Sequence, residues 1–126
     1  MSFFRKSVGE AGEKAAAKFL KSQGYRVIAR NYASGLGEID IICEHESKLV
    51  FVEVKTLSSD AAADPEIHVN VSKQRQIEKA TKAWLTANGN PDCGYRFDVV
   101  SVVMPSKGEA KIRHMVDAFR PSWWCK

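Results

Sequence analysis

Residues 37–46 read GEIDIICEHE and residues 47–56 read SKLVFVEVKT, and the pairing of these two runs decides the fold. Both are rich in β-branched residues and they meet at a polar point, which predicts a β-hairpin. With Glu46-Ser47 as a two-residue turn, Glu44 falls opposite Leu49, Ile42 opposite Phe51, Asp40 opposite Glu53 and Glu38 opposite Lys55. A four-residue turn over 45–48 gives the same pairing. Side chains alternate across a strand. Ile39, Ile41, Cys43, Val50, Val52 and Val54 therefore share one wholly apolar face, which must be buried. A slip of one residue would drive Asp40 and Glu53 into the core and turn the valines out, so the parity is well specified.

The other face carries Ile42, Leu49 and Phe51 near the turn, and Glu38, Asp40, Glu53 and Lys55 at the far end. Directly opposed carboxylates on an antiparallel pair stand about 4.5–5.5 Å apart at Cβ and repel. A divalent cation removes that conflict. Hard oxygen ligands suit Mg²⁺, which takes one or two carboxylates and keeps waters and phosphate oxygens in its remaining positions. Lys55 points to the same face as Glu53, within reach of the same phosphate or of an attacking water.

Outward from the hairpin, Ser7-Val8-Gly9-Glu10 has capping-box spacing and opens a first helix carrying Val8, Ala11, Ala15, Phe19 and Leu20 at helical period; Gly24 follows its end. Residues 25–30 read as a short strand and 31–37 as a loop. After Lys55 a poorly patterned stretch, about 56–70, predicts a mobile loop of the length that is functional in small domains. Ser72 is the expected N-cap of a second helix with Ile77, Ala80, Trp84 and Ala87 on one face and Gly89 beyond its end. Residues 95–104 and 111–119 read as strands. The order is α-β-β-β-α-β-β, an α/β class in one domain spanning 1–126.

With 126 residues, 44% hydrophobic and 27% charged, the chain has an ordinary globular composition and can bury a core without staples. Cys43, Cys93 and Cys125 cannot all pair and form no CxxC, which argues against a disulfide framework and against a zinc cage. No signal-peptide pattern opens the chain and no apolar run nears the ~18 residues of a membrane span. The expectation is a cytoplasmic protein without a membrane partner. Residues 1–33 carry a balance of +5, residues 34–70 of −6 and residues 71–126 of +5. An acidic centre between basic flanks suits a protein that holds a cation centrally and a polyanion around it, though a solvated, patchy surface has the same pattern.

An acid followed, across a hydrophobic hairpin, by Glu53-Val54-Lys55 resembles the PD-(D/E)xK nuclease signature, with Asp40 as the first acid. More closely, the chain resembles the YraN-type family of bacterial proteins, which are similar to archaeal Holliday-junction resolvases. The matching pieces are Gly9-Glu10 with Ala15-Ala16, Gly24-Tyr25, Asn31, Gly37-Glu38-Ile39-Asp40 and Phe51-Val52-Glu53-Val54-Lys55. Further matches are Lys73, Ala83 with Leu85, and Arg96-Phe97-Asp98-Val99-Val100. Leu57 departs from the pattern, which often has an arginine there. The resemblance implies a restriction-endonuclease-like fold with a central mixed sheet flanked by helices. It also implies a metal-dependent endonuclease cutting phosphodiester bonds in DNA, including branched or unusual structures. Asp40 and Glu53, with the Val54 carbonyl, would bind Mg²⁺ or Mn²⁺, which lowers the pKa of a bound water and polarises the phosphate. Lys55 would orient that water or stabilise the developing charge. Glu10 matches the acid that resolvase-like members bring from the first helix, and it also completes the capping box. The alternative is a nucleic-acid-binding module on the same fold with little or no catalysis. Action on two strands would favour a homodimer.

Lys73 sits in the first turn of the second helix, where a cation opposes the helix dipole, and with Gln74 it is a candidate phosphate contact. Glu38 is placed to pair with Lys55, and Arg96 with Asp98 on a shared strand face. Trp123 and Trp124 could stack on unpaired bases or pack in the core. His45, His68 and His114 have no ligand spacing, and Cys43 belongs to the core.

Overall fold

The computed structural model describes residues 2–57, 69–105 and 107–121, with side chains from Gly9 onward. The elements are α1 (Ser2–Ser22), β1 (Arg26–Ala33), β2 (Glu38–His45), β3 (Lys48–Leu57), α2 (Val71–Ala87), β4 (Tyr95–Val103) and β5 (Lys111–Phe119). One five-stranded sheet runs β1-β2-β3-β4-β5. Its β3–β4 pair is parallel and its other pairs are antiparallel. A parallel pair needs a crossover, and α2 supplies it. The result is the expected α/β architecture, a mixed sheet flanked by two helices, consistent with a restriction-endonuclease-like fold.

The hairpin takes the expected register, from His45 opposite Lys48 to Ile41 opposite Val52. Glu46 and Ser47 both have positive φ, 51° and 66°, as a type I′ turn requires and as the right-handed twist of the strands favours. Both faces of the hairpin are covered. Ala16, Ala17 and Leu20 of α1 pack on Ile41, Cys43, Val50, Val52, Val100 and Val102. On the opposite face, Ile77, Ala80 and Trp84 of α2 pack on Ile42, Leu49, Phe51, Phe97 and Val99. Ile39 breaks the expected parity, because it packs in the α2 cluster and not with Ile41.

Four element boundaries also differ. The first strand, expected over 25–30 with a loop over 31–37, runs from Arg26 to Ala33 because β2 pairs with it that far. The first helix starts at Ser2, since nothing in residues 2–6 breaks a helix, and Ser7 lies inside it and does not cap it. The second helix is capped by Asn70, whose Oδ1 accepts the Lys73 N–H at 2.8 Å, and not by Ser72. β3 runs through Thr56 to Leu57 because β4 pairs with it that far, so the first two residues of the expected loop are strand. Most of that loop, together with His68, Trp123, Trp124 and Cys125, lies outside the described residues.

Candidate active site

The β2–β3 ladder ends at Ile41 opposite Val52, and beyond it a side chain takes over. Asp40 Oδ2 accepts the Val54 N–H at 2.7 Å. The N–H and C=O of a strand residue point to the same neighbour, so the Val54 carbonyl also faces the β2 side. Glu53, on the α2 face, hydrogen-bonds the Asp40 carboxyl. Burial pushes both acids above the usual carboxylate range. Glu53 rises furthest, to about 8, because the Asp40 charge adds to its burial. The Asp40 shift is opposed by the Val54 amide and by the Glu53 hydrogen bond, both of which favour its ionised form. The two carboxyls therefore oppose one another's ionisation, and Glu53 is the more strongly raised of the pair.

Cations border this pair. Lys73 Nζ stands 3.8 Å from Glu53 Oε2, with the Glu53 side chain only 12% exposed. The unfavourable place of Lys73 in the first turn of α2 is explained by these acids. Lys55 acts on Glu53 electrostatically from the same strand. Gln74 is committed elsewhere, since its Nε2 donates to the Val69 carbonyl at 2.7 Å. Glu38 is exposed on the rim, and its charge adds to the upward pressure on Asp40.

The first-helix acid brought to the pair is Glu13. Glu10 is exposed, whereas Glu13 is half-buried and its carboxyl is raised by burial and then by the Asp40 charge. Asn31 hydrogen-bonds Glu13, and Arg30 partly offsets its shift. A Cβ on Gly12 would overlap the Thr56 side chain, so the bare glycine lets this turn of α1 press against the end of β3. The sequence offers two Gly-Glu steps, at 9–10 and 12–13, three residues apart and hence on one helix face. The deciding signal was the spacing to Ala16 and Ala17, both buried. Glu13 lies three and four residues before them, on the packed stripe, and Glu10 lies one turn further out.

The donor set fits a hard divalent cation. Two half-buried carboxyls crowd one another, and a backbone carbonyl points the same way. A cation would relieve the repulsion. Among the described residues no three His, Cys, Asp or Glu side chains group closely enough to hold a metal by themselves, so water and phosphate oxygens would have to supply the remaining positions. A cavity of about 350 Å³ lined by Ala33, Gly35, Leu36, Gly37, Glu38, Lys73 and Gln76 adjoins the acids through Lys73.

On the α1 face Arg96 and Asp98 pair as expected, Nε to Oδ1 at 2.9 Å. His114 Nε2 lies 2.8 Å from Asp98 Oδ2, and Tyr25 stacks on His45 at 3.9 Å between ring centroids. This network knits the core and is separate from the carboxyl pair. Cys43 is fully buried and its thiol is pushed up to about 12 by burial, which leaves it inert.

The chain is similar to a UPF0102 protein of Geotalea daltonii, 42% identical over 114 residues that cover 90% of each chain. It is 42% identical to one of Geobacter sulfurreducens over 118 residues, covering 94% of this chain and 92% of that one. With one of Alkaliphilus oremlandii it is 44% identical over 116 residues, covering 90% and 98%. The model of the uncharacterised protein family UPF0102 matches residues 12–102, from the glycine beside Glu13 to the end of the β3–β4 ladder, and the chain belongs to that family.

Proposed function

We propose that the chain is a metal-dependent phosphodiesterase acting on nucleic acid, with DNA as the expected substrate. The observation that carries this reading is the half-buried Asp40–Glu53 pair at the end of the hairpin, with Asp40 Oδ2 on the Val54 N–H at 2.7 Å and Lys73 3.8 Å from Glu53. Buried like charges at a sheet end cost stability unless a ligand uses them. Asp40, Glu53 and the Val54 carbonyl are the metal donors, and the ion is Mg²⁺ or Mn²⁺. When bound, such an ion lowers the pKa of a coordinated water and draws charge from the phosphate. Lys55 and Lys73 face the negative charge that develops on the phosphate as the water oxygen bonds to phosphorus and one P–O ester bond breaks. Glu13 takes the first-helix role expected of Glu10, holding or relaying a proton beside Asp40.

The test is a cleavage gel on labelled duplex, single-stranded, flap and four-way-junction DNA in Mg²⁺, Mn²⁺ or EDTA, with Asp40→Asn beside wild type. Cutting that needs metal and disappears in the variant supports the reading. A second reading, binding without catalysis, is favoured by one feature: Lys73 already neutralises part of the pair. That reading takes the lead if wild type shifts DNA yet cuts none of it. Two-strand action would call for a homodimer, which sedimentation of the DNA complex would reveal.

A further inference from the structure

The loop between β1 and β2 crosses α2 and divides its outer face in two. Gly37 touches the helix so closely that a Cβ there would overlap the Gln76 carbonyl. The loop is held in shape by Ser34, whose N–H donates to the Gly37 carbonyl at 3.0 Å and whose Oγ accepts the Leu36 N–H at 3.1 Å. Between these anchors Leu36 stands 63% exposed. On one side of it lies the cavity beside the acids, with Lys73 and Gln76. On the other lies an apolar recess of about 450 Å³, lined by Leu36, Lys79, Lys82, Ala83, Thr86 and Ala87. That volume is within the roughly 300–1,000 Å³ range of ligand pockets.

The polar cavity, the leucine and the apolar recess follow one another along α2. From Lys73 to Thr86 is thirteen residues of helix, about 20 Å. The lysines mark the track with positive charge, while the recess floor is Ala and Leu carbon. The recess offers no aromatic platform, so a base there would be held by contact with Leu36, Ala83 and Ala87 carbon while the lysines meet the backbone phosphates. A held, exposed leucine between two seats is also how wedge side chains separate stacked bases.

We infer that the recess seats one unpaired nucleobase of the strand whose neighbouring phosphate reaches Asp40 and Glu53, with Leu36 as the wedge that keeps that base off its neighbour. This rests on the nucleic-acid reading above and narrows it to substrates with an unpaired strand beside the cut.

The test is binding in EDTA, where no metal-dependent cleavage occurs. Fluorescence anisotropy is read with a labelled single-stranded oligonucleotide and with a blunt duplex of the same sequence. The proteins are wild type, Leu36→Ser, and Ile28→Ser as an exposed apolar control on β1. Wild type should prefer the single strand. Leu36→Ser should weaken single-strand binding about tenfold, from the lost apolar contact between the leucine and the base, and leave duplex binding unchanged. Ile28→Ser should match wild type. Equal affinity for both DNAs, or a Leu36→Ser protein that binds like wild type, overturns the base seat while the nucleic-acid reading stands. No binding by wild type to either DNA overturns both.

Discussion

The Asp40 carboxylate accepts the Val54 N–H at 2.7 Å, which ties the first acid of the site to the residue between Glu53 and Lys55. Backbone pairing of the hairpin stops at Ile41 and Val52, and this single bond closes what would otherwise be a frayed end. Asp40 is thus both a support of the hairpin and a source of the charge that raises Glu53. The two roles separate by substitution.

Asp40→Asn keeps an oxygen for the Val54 amide, so its urea midpoint should stay near that of wild type. Asp40→Ala leaves that amide unsatisfied and should cost about 1–3 kcal/mol. Both should lose metal-dependent cleavage, by on the order of 10²–10⁴-fold, as the removal of one essential charged group does. A variant that unfolds like wild type and still cuts at the wild-type rate would remove Asp40 from the chemistry.

The Glu53 pKa of about 8, against an ordinary 4.5, fixes the sign of a pH effect. An acid raised on folding contributes stability that is fully present below its unfolded pKa and lost as pH rises through the folded one. In EDTA the melting temperature of wild type should therefore fall between about pH 4.5 and about pH 8, and level off above that, relative to Glu53→Gln, which cannot ionise there. Mg²⁺ should restore the loss, and its binding near neutral pH should release a proton, measurable as a buffer-dependent heat. Parallel pH profiles for the two proteins would contradict the raised Glu53 carboxyl.

Glu13→Gln and Glu10→Gln separate the two candidate helix acids. Glu13 senses Asp40 from a half-buried position, so its neutralisation should weaken Mg²⁺ affinity or cleavage by about 10–100-fold, the usual effect of a supporting charge beside a metal. Exposed Glu10 should behave as wild type. Calorimetric Mg²⁺ titration of both variants checks this, and a reversed order would return the role to Glu10.

The helix acid shows how far sequence reaches. The hairpin register was legible because apolar side chains at period two tolerate no slip, and Asp40, Glu53 and Lys55 came with it onto one end of the pair. The α2 crossover was legible from Ile77, Ala80 and Trp84. How deeply α1 slides along β3 was not read, because it depends on the Gly12 contact with Thr56, far apart in sequence. The N-cap was misplaced for a local reason: Asn70 and Ser72 are both good caps, and only the Asn70 side chain reaches the Lys73 amide. Leu36 was passed over because an exposed leucine has no sequence signature. Its meaning comes from the loop that lays it across α2.

Asp98 is the counterweight to Glu53, a buried acid whose charge is fully answered. Burial raises its pKa, but the hydrogen bonds from His114, Arg96 and the Asp117 amide outweigh that and hold it below the usual 3.8. Its side chain has no exposed surface, and it joins β4 to β5 through the Asp117 N–H at 2.9 Å. Asp98→Asn leaves Arg96 with an unanswered charge inside the fold and should cost about 3–5 kcal/mol, the usual penalty for breaking one side of a buried pair. An acid depressed on folding contributes stability present above its unfolded pKa and lost as pH falls through the folded one. The gap between wild type and Asp98→Asn in urea unfolding should therefore be full near pH 7 and should narrow as the pH drops below 3.8. Asp98 lies on the α1 face, apart from the acids of the site, so under folding conditions the variant should keep the wild-type dependence of cleavage on metal. A variant as stable as wild type at pH 7 would show that the network contributes little. A stable variant without cleavage would show that Arg96 and Asp98 belong to the chemistry.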